Sequence, residues 1–344
     1  MAENFDVSRR LAASPFWWPD FAPPAGGVAL GPEGLETFPR LRLDLSTLLL
    51  LEAEGAGRSP TLIVAPYAVH DAAIADFAPG HSLARVLLDG GAAPLALVSW
   101  KSASPDMRDF GVDAYLSDLN VAIDDLGGRA SLVGLCQGGW LATLYAARFP
   151  AKVARLALAG APLDLKAAES DITRTLALSP PAFVAAAVAM LGGRVFAGGL
   201  LLGADPDYDA AAALQCEPNQ ELRTKFEQWR ARTLALPGRY FLETTEWLFR
   251  ENRLAGNRFP ALGRACGLSD VSAPVRALAA KDDRVVALAQ ATAALARLRA
   301  RPEIVEGGHL SLFMGQRTLG ERWPAIARWL GDAAGRLRPA RAKR

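Results

Sequence analysis

A glycine-flanked cysteine, a late histidine and an acidic residue between them are the side chains of this sequence best suited to covalent chemistry. Gly134-Leu135-Cys136-Gln137-Gly138 fits the pattern Gly-x-nucleophile-x-Gly. Such a turn holds its nucleophile in strained dihedrals while neighbouring backbone passes too close for a Cβ, which is why glycine is needed on both sides. A helix starting at the turn aims its positive end at the sulfur, where the dipole favours a thiolate. A thiol nucleophile needs a base, and the chain has three histidines. His309, in Glu306-Gly307-Gly308-His309, follows an apolar run late in the chain, where a doubly wound sheet carries its base. His70 and His81 come earlier, and His81 reads as a helix-capping or surface residue. The base needs an orienting carboxylate, and Lys281-Asp282-Asp283-Arg284-Val285-Val286 offers one at the end of an expected strand. The spacing Asp-x-apolar-apolar favours Asp283, with Asp282 as the alternative.

These residues suit acyl transfer. A thioester on Cys136 keeps most of its transfer potential, so a cysteine fits the passage of acyl groups from one thioester to an alcohol better than plain hydrolysis. The backbone N–H of Gln137, with one from the loop near Val69, would form the oxyanion hole. No His/Asp/Glu cluster has metal-ligand spacing and no Gly-x-Gly-x-x-Gly follows a first strand, so neither a metal nor a dinucleotide cofactor is expected.

The elements that must position these residues alternate in type from Leu48 onward. Residues 61–66 and 94–100 are short apolar runs closed by turn signals, as for strands buried on both faces. A helix is expected from His81 to Asp89 and another over Asp113 to Leu126, each ended by a Gly-Gly pair. Strand 130–135 leads into the cysteine turn, helix 139–149 leads out, and strand 153–159 follows. Strand 274–280, a helix over about 287–299 and a last helix from Trp323 to Leu330 close the pattern. The order Cys136, Asp283, His309 and the βα alternation together predict an α/β-hydrolase fold, a mostly parallel doubly wound sheet with an inserted helical cap. The divisions are an N-terminal extension over 1–45, core over 46–162 and 266–333, a strand-free cap over 163–265 and a basic tail over 334–344.

Composition narrows the class. The 344 residues are 51% hydrophobic and 22% charged, with 38 Lys and Arg against 36 Asp and Glu for a net charge of +2. Disorder needs the reverse, and nucleic-acid binding wants a strong basic excess. Cys136, Cys216 and Cys266 are odd in number and widely spaced, which argues against a disulfide framework and for a reducing cytoplasm. No apolar h-region follows Arg9 and Arg10. Pro180 to Gly203 is the most apolar stretch, and Gly-Gly-Arg at 192–194 breaks it below the length of a membrane span. It reads as buried cap helix or as a surface that meets a lipid-like substrate.

Beyond these readings, the chain resembles the polyhydroxyalkanoate synthases, above all their short class III catalytic subunits. The resemblance runs from about Pro60 to Leu330. It rests on Ser-Leu-Ala-Arg-Val-Leu-Leu at 82–88, Asp113-Ala114-Tyr115, the Gly-Leu-Cys-Gln-Gly-Gly box at 134–139, Glu-Asn-Arg-Leu at 251–254, the 262–275 segment and Gly-Gly-His-Leu at 307–310. It implies Cys136 as acyl-carrying nucleophile, His309 as base, Asp283 as its partner, and polymerisation of (R)-3-hydroxyacyl groups from coenzyme A thioesters with release of CoA. The implied partners are 3-hydroxyacyl-CoA and a polyester chain or granule surface, with a homodimer or a second synthase subunit. Three positions depart from the family: Arg284 stands where His usually follows the aspartate, His70 where Asn is common, and Trp140 where a smaller residue is typical, so that it narrows the expected acyl pocket. Intracellular polyhydroxyalkanoate depolymerases also resemble the chain, but their box carries Pro where Gly138 stands. Hydrolysis of polyester or of an acyl thioester by the same triad is therefore the alternative, and a catalytically silent granule-binding relative is the third reading.

Overall fold

The computed structural model describes residues 31–57, 59–67, 70–190, 193–196 and 209–332. Eight strands form one sheet in the order β1-β2-β4-β3-β5-β6-β11-β12. Their ranges are β1 Arg40–Asp44, β2 Leu48–Glu52, β3 Thr61–Val64, β4 Leu95–Trp100, β5 Ala130–Leu135, β6 Val153–Ala159, β11 Val275–Ala280 and β12 Pro302–Val305. From β4 to β12 every neighbouring pair is parallel, whereas β1 and β2 enter antiparallel. Strands β4 and β5 are buried at all six positions, which explains their unbroken apolar runs.

Successive residues of a strand face opposite sides, and two apolar layers result. Leu62, Val64, Val98, Trp100 and Leu132 look into one layer with Trp140 and Tyr115. Ile63, Leu95, Leu97, Val133 and Leu135 look into the other with Phe77 and Trp323. Two of the buried indoles are satisfied across the layers: Trp100 donates to the Ala65 carbonyl at 2.7 Å and Trp323 to that of Leu312 at 2.8 Å.

The expected α/β plan is thus present, with boundaries to correct. Strand β1 pairs with β2 through Arg40 and Glu52, so residues 40–44 belong to the sheet rather than to an extension. Leu35 and Phe38 before it are also buried. The cap is not strand-free: β7 Arg194–Phe196 pairs with β8 Ala235–Pro237, and β9 Phe259–Ala261 with β10 Arg264–Cys266. The 287–299 helix is two pieces, Leu288–Thr292 and a 3-10 turn over Leu295–Leu298. Helix Leu83–Asp89 starts two residues late because Ser82 caps it, its hydroxyl accepting from the Arg85 N–H at 2.9 Å. Of the apolar stretch 180–203, helix Pro181–Met190 and β7 are described, with Val184, Ala187 and Val188 buried and Phe183 exposed. Residues 191–192 and 197–203, the N-terminal segment and the basic tail lie outside the described residues.

Candidate active site

Cys136 occupies the turn between β5 and helix Gln137–Arg148, with φ +48° and ψ −118°. A non-glycine residue rarely adopts that conformation, and here the chain on both sides fixes it. The Cys136 N–H donates to the Ala159 carbonyl on β6 at 2.9 Å, and its carbonyl accepts from Gly139 at 2.8 Å. The glycine requirement is visible at Gly138, where a Cβ would lie 2.1 Å from the Val64 carbonyl oxygen. That contact is backbone on backbone, so Gly138→Ala must push the helix away from β3. Its expected cost is about 1–3 kcal/mol of stability, read by thermal unfolding.

Asp283 follows β11 and His309 follows β12, so both reach the same carboxyl-terminal edge of the sheet as Cys136. His309 Nδ1 lies 2.7 Å from Asp283 Oδ2. The other carboxylate oxygen accepts from the backbone N–H of Val285 at 3.0 Å and Val286 at 2.8 Å, which locks the Asp283 rotamer. The apolar pair Val285-Val286 therefore marks the turn that delivers these two N–H groups. Asp282, the alternative acid, is exposed, and its backbone N–H is held by the Gly307 carbonyl at 3.1 Å. With Nδ1 committed to the carboxylate, Nε2 is left for sulfur, and Cys136 lies near enough to the imidazole to raise its proton affinity. Burial lowers the pKa of His309, but the charges of Asp283 and Cys136 and hydrogen bonds to both outweigh it. The imidazole is held well above its ordinary range. All three sequence-expected residues thus meet.

Two further groups shape the site without an advance signal. Gly160, after β6, has φ +54°, and a Cβ there would come within 3.0 Å of His309 Cε1. Buried Gln290 donates to the Ala168 carbonyl at 2.8 Å, and its own carbonyl accepts from Leu163 and Asp164. It thereby joins the helix after Asp283 to the start of the cap.

The two expected oxyanion donors fare differently. Gln137 is the first residue of its helix, where the N–H has no intrahelical acceptor. Val69 lies outside the described residues, although the close approach of Gly138 to Val64 and Ala65 brings the start of its loop against the helix. Trp140 is fully buried between Tyr240 and Phe259, with ring centroids 6.5 and 5.7 Å away, and donates to the Gln137 side chain.

The other histidines are structural in placement. His70 Nδ1 lies 3.0 Å from the Arg232 carbonyl, and its ring stacks on Trp229 at 4.3 Å. Burial first, then Arg230 and Arg232, push its pKa down to about 4. His81 neither caps a helix nor lies at the surface: it is buried, with Nδ1 2.7 Å from the Met314 carbonyl and Nε2 3.9 Å from Cys216 Sγ. A cleft of about 630 Å³ opens in the cap beside Leu165, Leu176, Pro180, Phe249 and Arg250, and none of Cys136, Asp283 or His309 lines it.

Comparison with known proteins bears on the fold and the family. Three curated relatives carry the name poly(3-hydroxyalkanoate) polymerase subunit PhaC. The Haloferax mediterranei protein is 25% identical over 75% of this chain and 56% of its own length. The Allochromatium vinosum protein is 24% identical over 69% of this chain and 71% of its own. The Synechocystis protein is 25% identical over 79% and 78%. The chain therefore spans little more than half of the Haloferax relative. Among solved structures, a thermophilic esterase from Thermogutta terrifontis superposes with a TM-score of 0.51 at 15% identity, covering 83% of this chain and 94% of that one. A Paleococcus ferrophilus monoacylglycerol lipase gives 0.51 at 16%, covering 83% and 99%. At such identity these two speak for the fold alone. Residues 55–316 match the family model described as alpha/beta hydrolase fold, and with three-quarters of its length so matched the chain belongs to the alpha/beta-hydrolase family.

Proposed function

We propose that this protein is a cysteine acyltransferase that polymerises (R)-3-hydroxyacyl groups from coenzyme A thioesters. The observation that carries the reading is the constellation at the sheet edge: a strained Cys136 on an elbow, beside an imidazole whose Nδ1 lies 2.7 Å from the Asp283 carboxylate. The likeness to three proteins named poly(3-hydroxyalkanoate) polymerase subunits supports the choice of a hydroxyalkanoate polymer as product. Coenzyme A acts as substrate carrier and leaving group, and the reading needs no cofactor. It places the protein in the cytoplasm, at the surface of the polymer granule it makes, with a homodimer or second subunit as partner.

In the first half-reaction the thiol proton of Cys136 rests on His309 Nε2, and the Sγ thiolate attacks the thioester carbonyl. The tetrahedral oxyanion is met by the N–H of Gln137 and a second donor near Val69. Collapse breaks the bond to the coenzyme A sulfur, and the imidazolium returns the proton to it. Cys136 then holds the acyl group as a thioester. In the second half-reaction a hydroxyl of another 3-hydroxyacyl group loses its proton to His309, its oxygen attacks the Cys136 thioester, and an ester forms as the sulfur leaves. Thioester to ester is downhill, which drives chain growth.

Product identity is the test. Incubation with 3-hydroxybutyryl-CoA is expected to give free CoA together with material that sediments and yields oligomeric esters by mass spectrometry. Soluble 3-hydroxybutyrate without chain growth selects thioester hydrolysis by the same residues, the absence of CoA release defeats both, and hydroxy acids then released from amorphous polyester select polyester hydrolysis instead.

A further inference from the structure

The loop after β3 and the loop carrying His309 belong to different halves of the sheet, and one piece of the cap touches both. At its start Gln215, in the left-handed conformation with φ +55°, donates through Nε2 to the Glu306 carbonyl at 3.1 Å, three residues before His309. Its Oε1 accepts from the N–H and hydroxyl of Thr318 at 2.9 and 3.1 Å. Helix Gln220–Ala231 then runs about 18 Å. At its far end the Arg232 carbonyl accepts from His70 Nδ1 at 3.0 Å, the Arg232 guanidinium lies 3.5 Å from buried Asp71, and Trp229 packs on the His70 ring. Beyond it the Ala235 carbonyl accepts from the Tyr67 hydroxyl at 3.2 Å. Tyr67, His70 and Asp71 flank Val69 in sequence on both sides.

We propose that cap segment 215–235 is a strap that keeps the β3 loop in register with the His309 loop, and that His70 and Gln215 are its two positioning residues. Neither contacts the reacting atoms. His70 is suited to the role because a carbonyl can only accept, so Nδ1 must carry the proton, and the low pKa of about 4 keeps the ring neutral and its geometry constant at neutral pH. Gln215 is suited because its amide both donates and accepts, which ties the base loop and helix Gln316–Glu321 to one side chain. The two ends therefore act on different parts of the reaction: the His70 end on oxyanion binding, the Gln215 end on the base.

The catalytic consequence rests on the acyl-transfer reading above, and the test separates the two. Alkylation of Cys136 by iodoacetamide displaces iodide at a saturated carbon and develops no oxyanion, whereas acyl turnover does. His70→Leu is expected to lower CoA release from 3-hydroxybutyryl-CoA about 10²-fold, the scale of a small misplacement, while the Cys136 peptide alkylates at the wild-type rate by mass spectrometry. His70→Asn keeps a donor and is expected to recover most of the turnover. Gln215→Ala is expected to lower turnover and alkylation together, by about tenfold or more, because the base itself is loosened. Arg232→Ala, at a half-exposed side chain that leaves folding intact, is expected to repeat the His70 signature more weakly. Unchanged turnover in both His70→Leu and Arg232→Ala, or a parallel loss of alkylation in them, overturns the strap. If wild type shows no turnover that depends on Cys136, it is the acyl-transfer reading that fails. Hydrogen exchange then decides the strap: His70→Leu must accelerate exchange in both 70–78 and 220–231, and acceleration in neither rejects it.

Discussion

Cys136→Ala should release CoA from 3-hydroxybutyryl-CoA at least about 10⁴-fold more slowly than wild type, with folding unchanged. The size follows from the proposed mechanism: without sulfur no acyl-enzyme would form, and only substrate binding and the proposed oxyanion donors would remain. Folding should survive because the side chain is small and the turn is held by backbone hydrogen bonds to Ala159 and Gly139 that alanine keeps. Cys136→Ser separates the half-reactions. An oxygen ester on serine has lost the drive that a thioester gives for passing the acyl group to an alcohol, so a first release of CoA should be followed by a stall. Release from Cys136→Ala at the wild-type rate would remove the nucleophile from the scheme.

The second large effect belongs to Asp283. Asp283→Asn is expected to lower turnover about 10³- to 10⁴-fold, since an amide can turn its N–H₂ toward Nδ1 and favour the tautomer with no lone pair left at Nε2. It should also alter how stability depends on pH. The folded protein holds His309 above its unfolded value, because Asp283 and Cys136 outweigh the burial that opposes them. A group raised on folding contributes its full stabilisation below the unfolded pKa of about 6.5, and that contribution fades as pH climbs through the raised folded value. Wild type should therefore lose melting temperature on the alkaline side of that window, and Asp283→Asn should show a flatter profile there. Superimposable profiles would mean that the carboxylate does not hold the imidazole's proton.

Much of this site could be read before any coordinates. The strand leading into Cys136 and the helix leading out carry distinct periodicities, the late Gly-Gly-His follows a short apolar run, and Asp283 is set apart from Asp282 by the two apolar residues whose backbone fixes its carboxylate. The misses have physical causes. Strands β7 to β10 are three residues each, too short to show an alternation; β7 and β8 pair across distant parts of the cap, while β9 and β10 are the arms of a tight turn at Leu262-Gly263. Strand β1 reads Arg-Leu-Arg-Leu-Asp and is mostly exposed, so its composition looks like a solvated lead-in even though its backbone completes the sheet. His81 is buried by the Met314 carbonyl, more than two hundred residues downstream, and no local pattern announces such a contact. Gly160 is likewise one glycine among 31 until the His309 ring is placed beside it.

The outermost strands have a consequence for assembly. Arg40, Arg42 and Asp44 stud β1, where Arg42 is paired to Glu52 at 2.7 Å, and β12 opens on Pro302, which has no N–H to offer. Charged and proline-bearing borders resist recruitment of a visiting strand. Another copy of the chain, or a different subunit, then has little to gain by extending the sheet, and the helical exterior is left as the ground on which quaternary contacts can be built.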